Sequence, residues 1–303
     1  GTVSGTSISF GSPVVFQSNG QQSYHGLTFD SYNGKVVLAY QNPSDGYGKA
    51  VVGTVSGTSI TFGSPVTFES ANTHYISATF DSTNNKVVIA YKDYANSERG
   101  TAIVGTVSGT SISFGSSAVF ESGDVEMPMS AVYDASNQKV VIAYVDGSNS
   151  YYATAVVGTV SGTSISFGTP VVFESSSIYY LSAAYDSANG KVVIAYKDGA
   201  NSNKATAIVG TVSGTSISFD SPNEFVSTVQ EYISAAYDSA NQKVVIAYND
   251  KGNSNYGSAF TFSSRTISRN LTSENFIGIS DGAYSDGQTA TIQLTGAVDD
   301  AQS

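Results

Sequence analysis

The hydrophobic pattern of this chain is dominated by one apolar hexapeptide, Lys-Val-Val-Ile-Ala-Tyr, which is present four times together with a fifth copy that has Leu in place of Ile. The copies begin at Lys35, Lys86, Lys139, Lys191 and Lys243. Because the apolar residues do not alternate with polar ones, a strand of this sequence must be covered on both faces, as in a sheet packed between other sheets. Five such strands predict five sheets arranged as the blades of a ring.

A second repeated sequence, Gly-Thr-Val-Ser-Gly-Thr-Ser-Ile, begins at Gly1, Gly53, Gly105, Gly158 and Gly210, so the steps are 52, 52, 53 and 52 residues. The Ser-Ile-Ser-Phe run within or just after it alternates with period two, which marks a half-buried strand. A period near fifty residues that contains only strand-like pieces has the size of a four-stranded propeller blade. The sequence therefore predicts an all-β, five-bladed β-propeller of four-stranded antiparallel blades.

Each repeat is predicted to contain four strands, which we call a to d. Strand a is rich in small residues, strand b is the apolar hexapeptide, strand c contains Gly-Thr-Val, and strand d is the Ser-Ile-Ser-Phe run. The longest connector, from d to the next a, separates one blade from the next. Small residues suit strand a because inner strands crowd around the central channel.

The last repeat has strands a, b and c at residues 232–236, 243–248 and 258–262 but no strand d. We expect the N-terminal d strand, residues 6–16, to pair with residues 258–262 and close the ring, since an open sheet edge invites association. The chain begins inside a repeat, which indicates a fragment or a processed product, and the alternative is that further blades precede Gly1. The predicted domains are the propeller, residues 1–263, and a C-terminal attachment segment, residues 264–303, with a short strand at 289–294.

Aspartates recur at two places in the repeat. The a-to-b turn begins with Asp and continues with Asn or Gly, which favours turn chemistry, since Asp binds its own backbone and Asn or Gly adopts left-handed dihedrals. Another Asp follows strand b in four repeats, where loop shaping and calcium binding through oxygen ligands are the alternatives. These residues are Asp30, Asp81, Asp134, Asp186 and Asp238 in the turns, and Asp93, Asp146, Asp198 and Asp250 after strand b.

The sequence variation between copies falls in the d-to-a and b-to-c connectors, which lie on the same face of an up-and-down blade. One face is therefore predicted to be scaffold and the other to be specialised for binding. Tyrosine offers a flat apolar ring with a polar tip, a property of sugar-binding and protein-binding surfaces, although tyrosines also fill gaps between blades. The candidate ligand-binding residues near the channel mouth are Tyr24, His25, His74, Tyr75, Glu126, Tyr179, Tyr180, Glu231 and Tyr232.

Catalytic and metal chemistry find little support in the sequence. The only histidines, His25 and His74, form a conceivable metal pair, but no carboxylate is repeated beside both. A glycosidase needs carboxylates that flank the scissile bond; Asp124 and Glu126 share one loop, and neither they nor Glu231 have a basic partner placed to tune them. No nucleophile elbow, phosphate loop or zinc motif is present. We therefore predict no enzyme activity, no cofactor and no metal.

The charge of the 303-residue chain limits its partners. A net charge of −11 argues against nucleic acid and anionic membranes, because both need a basic patch. The chain has no cysteine, so thiolate sites and disulfides are excluded. It has no apolar stretch long enough to span a bilayer and begins with repeat sequence, not with a signal peptide.

The C-terminal segment carries a resemblance to a known group of proteins. Residues 270–280 (Asn-Leu-Thr-Ser-Glu-Asn-Phe-Ile-Gly-Ile-Ser), 281–293 and 296–303 resemble the C-terminal parts of tail-fibre and other structural proteins of marine bacteriophages. The resemblance covers about a tenth of the chain and does not reach the repeats. It implies a virion or extracellular location and a role in assembly or host contact, and it brings no catalytic residue.

Three functions remain open at this point. The first is a non-enzymatic module on a virion appendage that binds a host-surface glycan or protein through the tyrosine-rich face, with other virion subunits bound by the C-terminal segment and homo-oligomers possible. The second is a purely architectural spacer or assembly subunit. The third is a secreted bacterial lectin or adhesin. Repeated pockets would add weak contacts into avidity in the binding roles.

Overall fold

The computed structural model describes residues 1–20 and 24–264, which form an all-β structure. Its described helices are two 3₁₀ turns, Tyr94–Asn96 and Lys251–Asn253. No helix among these residues is long and apolar enough to cross a bilayer. The strands, numbered in chain order, are β1 (Thr2–Ser4), β2 (Ser7–Ser9), β3 (His25–Asp30), β4 (Lys35–Gln41), β5 (Tyr47–Ser56), β6 (Ser59–Phe62), β7 (Val66–Asp81), β8 (Lys86–Asp93), β9 (Arg99–Ser108), β10 (Ser111–Phe114), β11 (Ala118–Asp134), β12 (Lys139–Asp146), β13 (Tyr152–Ser161), β14 (Ser164–Phe167), β15 (Val171–Glu174), β16 (Ile178–Asp186), β17 (Lys191–Asp198), β18 (Lys204–Ser213), β19 (Ser216–Phe219), β20 (Asn223–Asp238), β21 (Lys243–Asp250) and β22 (Tyr256–Phe262).

The strands pair into similar antiparallel meanders, which we call units 1 to 5. Strands a, b and c are β3, β4 and β5 in unit 1, the end of β7 with β8 and β9 in unit 2, and the end of β11 with β12 and β13 in unit 3. They are β16, β17 and β18 in unit 4, and the end of β20 with β21 and β22 in unit 5. The predicted order of a, b and c is confirmed.

Strand d differs from the prediction. In unit 1, β6 pairs with one half of β5, residues 63–65 interrupt the pairing, and the start of β7 pairs with the other half of β5. β7 then runs into unit 2 without a loop, and β11 and β20 do the same at later junctions. The predicted d-to-a connector is therefore continuous strand at these junctions, with a break at residues 175–177 between β15 and β16.

The apolar hexapeptide is buried on both faces, as predicted. In unit 2, the five residues from Val87 to Tyr91 have no exposed surface. Val87, Ile89 and Tyr91 belong to a cluster that includes the apolar residues of unit 1. Val88 and Ala90 belong to the cluster shared with unit 3. Units 2 to 4 thus present one face to the preceding unit and the other to the following one.

The inner strands approach each other closely, which explains their small residues. A serine hydroxyl on one inner strand accepts a hydrogen bond from a backbone N–H of the next inner strand at three successive junctions. The pairs are Ala131 N to Ser77 Oγ at 2.9 Å, Ala183 N to Ser130 Oγ at 3.1 Å, and Ala235 N to Ser182 Oγ at 3.0 Å. A larger side chain at the serine would hold the strands apart and leave these N–H groups without their acceptor.

The predicted closure of the ring is not observed in the described residues. β22 pairs with β21, and β1 pairs with β2 in a separate hairpin. The N-terminal segment packs on unit 1 instead, where the ring of Phe16 lies 5.3 Å from that of Tyr40 and 5.9 Å from that of Phe62. A closed, five-bladed ring is therefore not confirmed.

The sequence of strand c in unit 5 explains why the N-terminal segment does not pair with it. Units 1 to 4 have a glycine opposite the Phe of strand d, and a Cβ added at Gly105 would lie 2.6 Å from Ile112 Cδ1 and 2.9 Å from Phe114 Cε1. Unit 5 has Phe262 at this position, and its half-buried side chain packs against the apolar cluster that units 4 and 5 share. Since Phe262 fills the space that the Ile and Phe of a strand d would take, residues 6–16 cannot pair there in the same register.

The outward face of unit 1 is open. Leu27 is 63% exposed and Phe29 is 57% exposed, whereas Phe80, the equivalent of Phe29 in unit 2, is 9% exposed. The predicted C-terminal segment, including its strand at 289–294, lies beyond residue 264 and outside the described residues.

Candidate ligand-binding face

The inner strands begin with a β-bulge that fixes three of the predicted tyrosines in an unusual backbone conformation. The strand register shifts between His74 and Ser77, and likewise in units 4 and 5. Within these bulges, Tyr75, Tyr180 and Tyr232 have φ angles of 52°, 51° and 54°. A left-handed conformation costs a residue other than glycine roughly 1–2 kcal/mol. Bulges redirect side chains, and here the redirected side chain is an aromatic ring in each case.

The first cluster on this face is aromatic. The ring centroid of His74 lies 4.5 Å from that of Tyr24 and 4.5 Å from that of Tyr94, and Tyr24 meets Tyr75 edge-on at 5.3 Å. The strands explain this assembly, because His74 pairs with Lys92 at the end of strand b. The start of strand a and the b-to-c loop are therefore adjacent, as the predicted face requires.

An ion cluster lies directly beside these rings. The Lys92 side chain is 1% exposed, and its Nζ lies 2.7 Å from a Glu98 carboxylate oxygen, 2.7 Å from Asp124 and 3.1 Å from Glu126. The Tyr75 hydroxyl donates a hydrogen bond of 3.0 Å to Glu126 Oε2. We call the group of Tyr75, Lys92 and Glu126 site A.

The three carboxylates of this cluster are close enough together to hold a cation. The ammonium of Lys92 already lies among them, so their charge is met by the protein itself. The sequence interpretation had found no basic partner for Asp124 and Glu126, and this was wrong, because Lys92 binds both. The lysine was missed because it belongs to the buried strand b, where a charged side chain is uncommon unless it is paired.

The protonation states of site A follow from burial and charge. Burial lowers the pKa of Lys92, but the hydrogen bonds that its ammonium donates to the three carboxylates outweigh this effect and raise that pKa above its usual range. Burial and then the Glu126 contact raise the pKa of Tyr75. Burial and then Lys92 lower the pKa of His74, although nearby carboxylates oppose the shift. At neutral pH, Lys92 is therefore an ammonium and Tyr75 a neutral phenol.

A second cluster has the same residue types two repeats later. The rings of Tyr180 and Tyr232 lie 5.0 Å apart. Lys197 Nζ lies over the rings of Tyr179 and Tyr180, at 5.4 and 5.7 Å from their centroids. We call the group of Tyr180, Lys197 and Glu231 site B.

Sites A and B are related by the repeat. Tyr75 and Tyr180, Lys92 and Lys197, and Glu126 and Glu231 are each 105 residues apart, which is two repeat lengths. The intervening repeat has Val145 in place of the lysine. This spacing is visible in the sequence, and it is the signal that would have identified both lysines.

The grooves on this face are lined by several of the predicted residues. One, of about 360 Å³, lies between units 3 and 4 and includes Glu126, Tyr151 and Tyr179. Another, of about 220 Å³, includes Tyr24, His25 and Tyr75. His25 is exposed on β3 and does not take part in the stacking around His74. The structure thus divides the predicted residues between site A with its aromatic neighbours, site B with its neighbours, and the groove edge at His25.

The recurring aspartates serve the turns. Asp30 Oδ1 accepts hydrogen bonds from the backbone N–H groups of Tyr32 and Asn33, and Asp30 Oδ2 accepts one from the Asn33 side chain. Asp93, after strand b, accepts from two backbone N–H groups of the 3₁₀ turn that follows it. The predicted turn chemistry is confirmed at both positions.

Comparison with known proteins shows the fold. No protein-family model matches the chain, and no curated protein sequence matches it significantly. AofleA from Arthrobotrys oligospora is similar with a TM-score of 0.50 and 9% identity, over 79% of this chain and 69% of that one. Its triple arginine-to-alanine mutant has a TM-score of 0.51 and 10% identity over the same shares. The Hadza microbial sialidase Hz136 has a TM-score of 0.49 and 12% identity, over 74% of this chain and 49% of that one. At such identities the likeness shows a β-propeller-like fold and no more.

Proposed function

We propose that this protein is a non-enzymatic glycan-binding module and that its binding face is formed by the bulges at the start of the inner strands. Sugar rings bind to proteins by stacking on aromatic side chains while their hydroxyl groups bond polar groups, and both components are present at sites A and B.

The observation that carries the proposal is the strained backbone of Tyr75, Tyr180 and Tyr232. Strain of this kind persists when the surrounding structure enforces it, and it clusters at functional sites. Tyr232 is 69% exposed, so its ring is not placed there to fill the core. Stacking of a glycan on these rings would explain why the strained bulge is present, whereas core packing does not explain it.

The absence of catalysis is part of the proposal. Asp124 and Glu126 would be the carboxylates nearest to a ligand at site A, and both are bound to the Lys92 ammonium. A carboxylate held in an ion pair of this kind is a poor general acid, because protonation would break the pair. The virion setting, the contact with other virion subunits through the C-terminal segment, and the closed five-bladed ring stay predictions from the sequence.

A glycan array with matched variants tests this function. We expect saturable binding by the wild type and loss of binding when Tyr75, Tyr180 and Tyr232, the three tyrosines in the bulges, are all changed to Gly. Glycine accepts φ > 0 without strain, so relief of the backbone strain offsets part of the packing that is lost with the rings, and urea unfolding checks that the variant stays folded. Tyr32→Ala removes a ring that is 70% exposed in an a-to-b turn, on the opposite face, and serves as the control. Wild-type binding by the glycine variant would refute the proposal.

An assembly subunit is the second candidate, and the open face of unit 1 favours it. Leu27 and Phe29 expose apolar surface, whereas Phe80 and Tyr133, the equivalents of Phe29 in units 2 and 3, are buried. Sedimentation of wild type and Phe29→Ser decides between the two. If the wild type self-associates, Phe29→Ser abolishes this association and no glycan on the array binds, the assembly-subunit function is favoured.

A further inference from the structure

Sites A and B share residue types but differ in how their lysines are neutralised. In site A, one ammonium meets three carboxylates, those of Glu98, Asp124 and Glu126, so the cluster has a net charge of −2. The Lys92 side chain is 1% exposed, so no ligand can reach its ammonium. Site A therefore offers carboxylate oxygens and phenols to a ligand, which suits the hydroxyl groups of a neutral sugar.

The lysine of site B is in a different situation. Within the described residues, no carboxylate lies within salt-bridge distance of Lys197, which is half-buried beside the rings of Tyr179 and Tyr180. Glu231, the equivalent of Glu126, is bound instead to Lys251, with 2.6 Å between Nζ and Oε1. Two ammoniums and one carboxylate leave site B with a net charge of +1, in a protein whose net charge is −11.

The rings around Lys197 define the shape of this site. Tyr179, whose ring lies beside the ammonium, is 47% exposed, and Tyr232, whose ring lies 5.0 Å from that of Tyr180, is 69% exposed, so both present aromatic surface to solvent. The ammonium has three donors, and contact with an aromatic face satisfies none of them as a hydrogen bond to an anion would. The arrangement combines a stacking platform with an unneutralised positive charge.

We infer that site B binds an anionic saccharide, whose carboxylate or sulfate group pairs with Lys197 while the sugar ring stacks on the adjacent tyrosines. This inference rests on the proposed glycan-binding function and specifies its ligand class for one site. Site A, with the same residue types and the opposite charge, selects against that ligand.

Calorimetric titration with three ligands tests the inference: lactose, a sialylated lactose and a sulfated lactose. We expect the two charged sugars to bind more tightly than lactose and to lose affinity as salt is raised, because screening weakens the ion pair. The two charged arms show whether carboxylate or sulfate is preferred. Lys197→Gln should weaken binding of the charged sugars by about 10- to 100-fold, as expected for loss of a hydrogen bond to a charged group, and Lys197→Arg should restore most of it.

Lys204→Gln is the matched control, because it removes the same charge from the same unit at a lysine that is paired with Glu224. An equal loss in this variant would overturn the inference, since bulk charge would then be responsible. Equal binding of lactose and the charged sugars, unaffected by Lys197→Gln, would overturn it and leave the glycan-binding function standing. No binding of any saccharide, here or on the array, would refute both.

Discussion

Units 2 and 5 contain the same apolar hexapeptide in different surroundings. In unit 2 all five apolar residues of the sequence are fully buried. In unit 5, Val244 and Ile246 are fully buried, but Val245 is only half-buried and Ala247 is exposed. Val245 and Ala247 correspond to the residues that face the next repeat, which unit 5 lacks in the described residues, and Tyr248 on the other face is half-buried as well. The face of the hexapeptide that points toward the following unit is therefore buried only where such a unit covers it.

The largest difference between the two units should come from a buried charge. Ala90→Asp places a carboxylate between units 2 and 3 with no partner, and we expect a loss of about 3–5 kcal/mol in the free energy of unfolding. Ala247→Asp places the same group in solvent and should change stability by less than about 0.5 kcal/mol. Urea unfolding of the two variants measures both. Equal losses would mean that the outer face of unit 5 is covered.

The glycine of strand c should give the next largest effect. Gly105→Ala puts a Cβ into contact with Ile112 and Phe114, and overpacking of this kind costs about 1–3 kcal/mol. In unit 5 the preference is reversed, because Phe262→Gly removes apolar contacts and adds backbone freedom to the unfolded chain, at a cost of at least about 1 kcal/mol. Thermal unfolding of both variants tests the reversal. If Phe262→Gly raised the melting temperature, the apolar contacts of Phe262 would not stabilise unit 5.

The turn aspartates should show a smaller contrast. Asp81 is 1% exposed and accepts three hydrogen bonds from Thr83 and Asn84, so Asp81→Ala should cost about 1–2 kcal/mol. Asp238 makes the same kind of turn at the exposed end of the protein, and Asp238→Ala should cost less. Denaturation midpoints compare the two variants directly. A larger loss of stability for Asp238→Ala than for Asp81→Ala would contradict the expectation that a turn at the exposed end contributes less.

The smallest expected effect is a pH dependence of stability that comes from Glu69 and has no counterpart in unit 5. Burial and then the charge of Asp93 raise the pKa of Glu69, so folding takes up a proton there. Its contribution to stability grows as pH falls through the raised folded pKa and is complete below the unfolded value. Unit 5 has Val226 at the equivalent position. We expect Glu69→Gln to reduce the gain in stability between pH 7 and pH 5, measured by urea unfolding, and an unchanged gain would contradict the assignment.

The sequence predicted the fold where a local pattern carried the information. The 52-residue period, the buried hexapeptide and the Asp turns all depend on chemistry within one repeat, and each is confirmed. The predicted closure, which is not confirmed, overlooked a single departure from the repeat. Phe262 replaces the glycine of the earlier copies, and this difference was visible in the sequence, but its meaning required the contact between the glycine and strand d.

The candidate site was predicted in part for a similar reason. The tyrosines were identified because they vary between copies, but their left-handed backbone depends on a bulge that sequence patterns do not reveal. Lys92 was missed because its three partners come from the b-to-c loop of unit 2 and from β11 and are adjacent only in the folded chain. Long-range ion pairs of this kind have no periodic signal. The 105-residue spacing was the exception.

The break at residues 175–177 makes this junction different from the others. Backbone pairing is continuous from β3 to the last strands of unit 3, and a separate ladder begins with β16. A protease that cuts between them would sever no paired strand, and the two pieces would still share the apolar contacts of units 3 and 4. This junction is therefore the natural place for a split-protein reporter, in which two separately expressed halves reassemble.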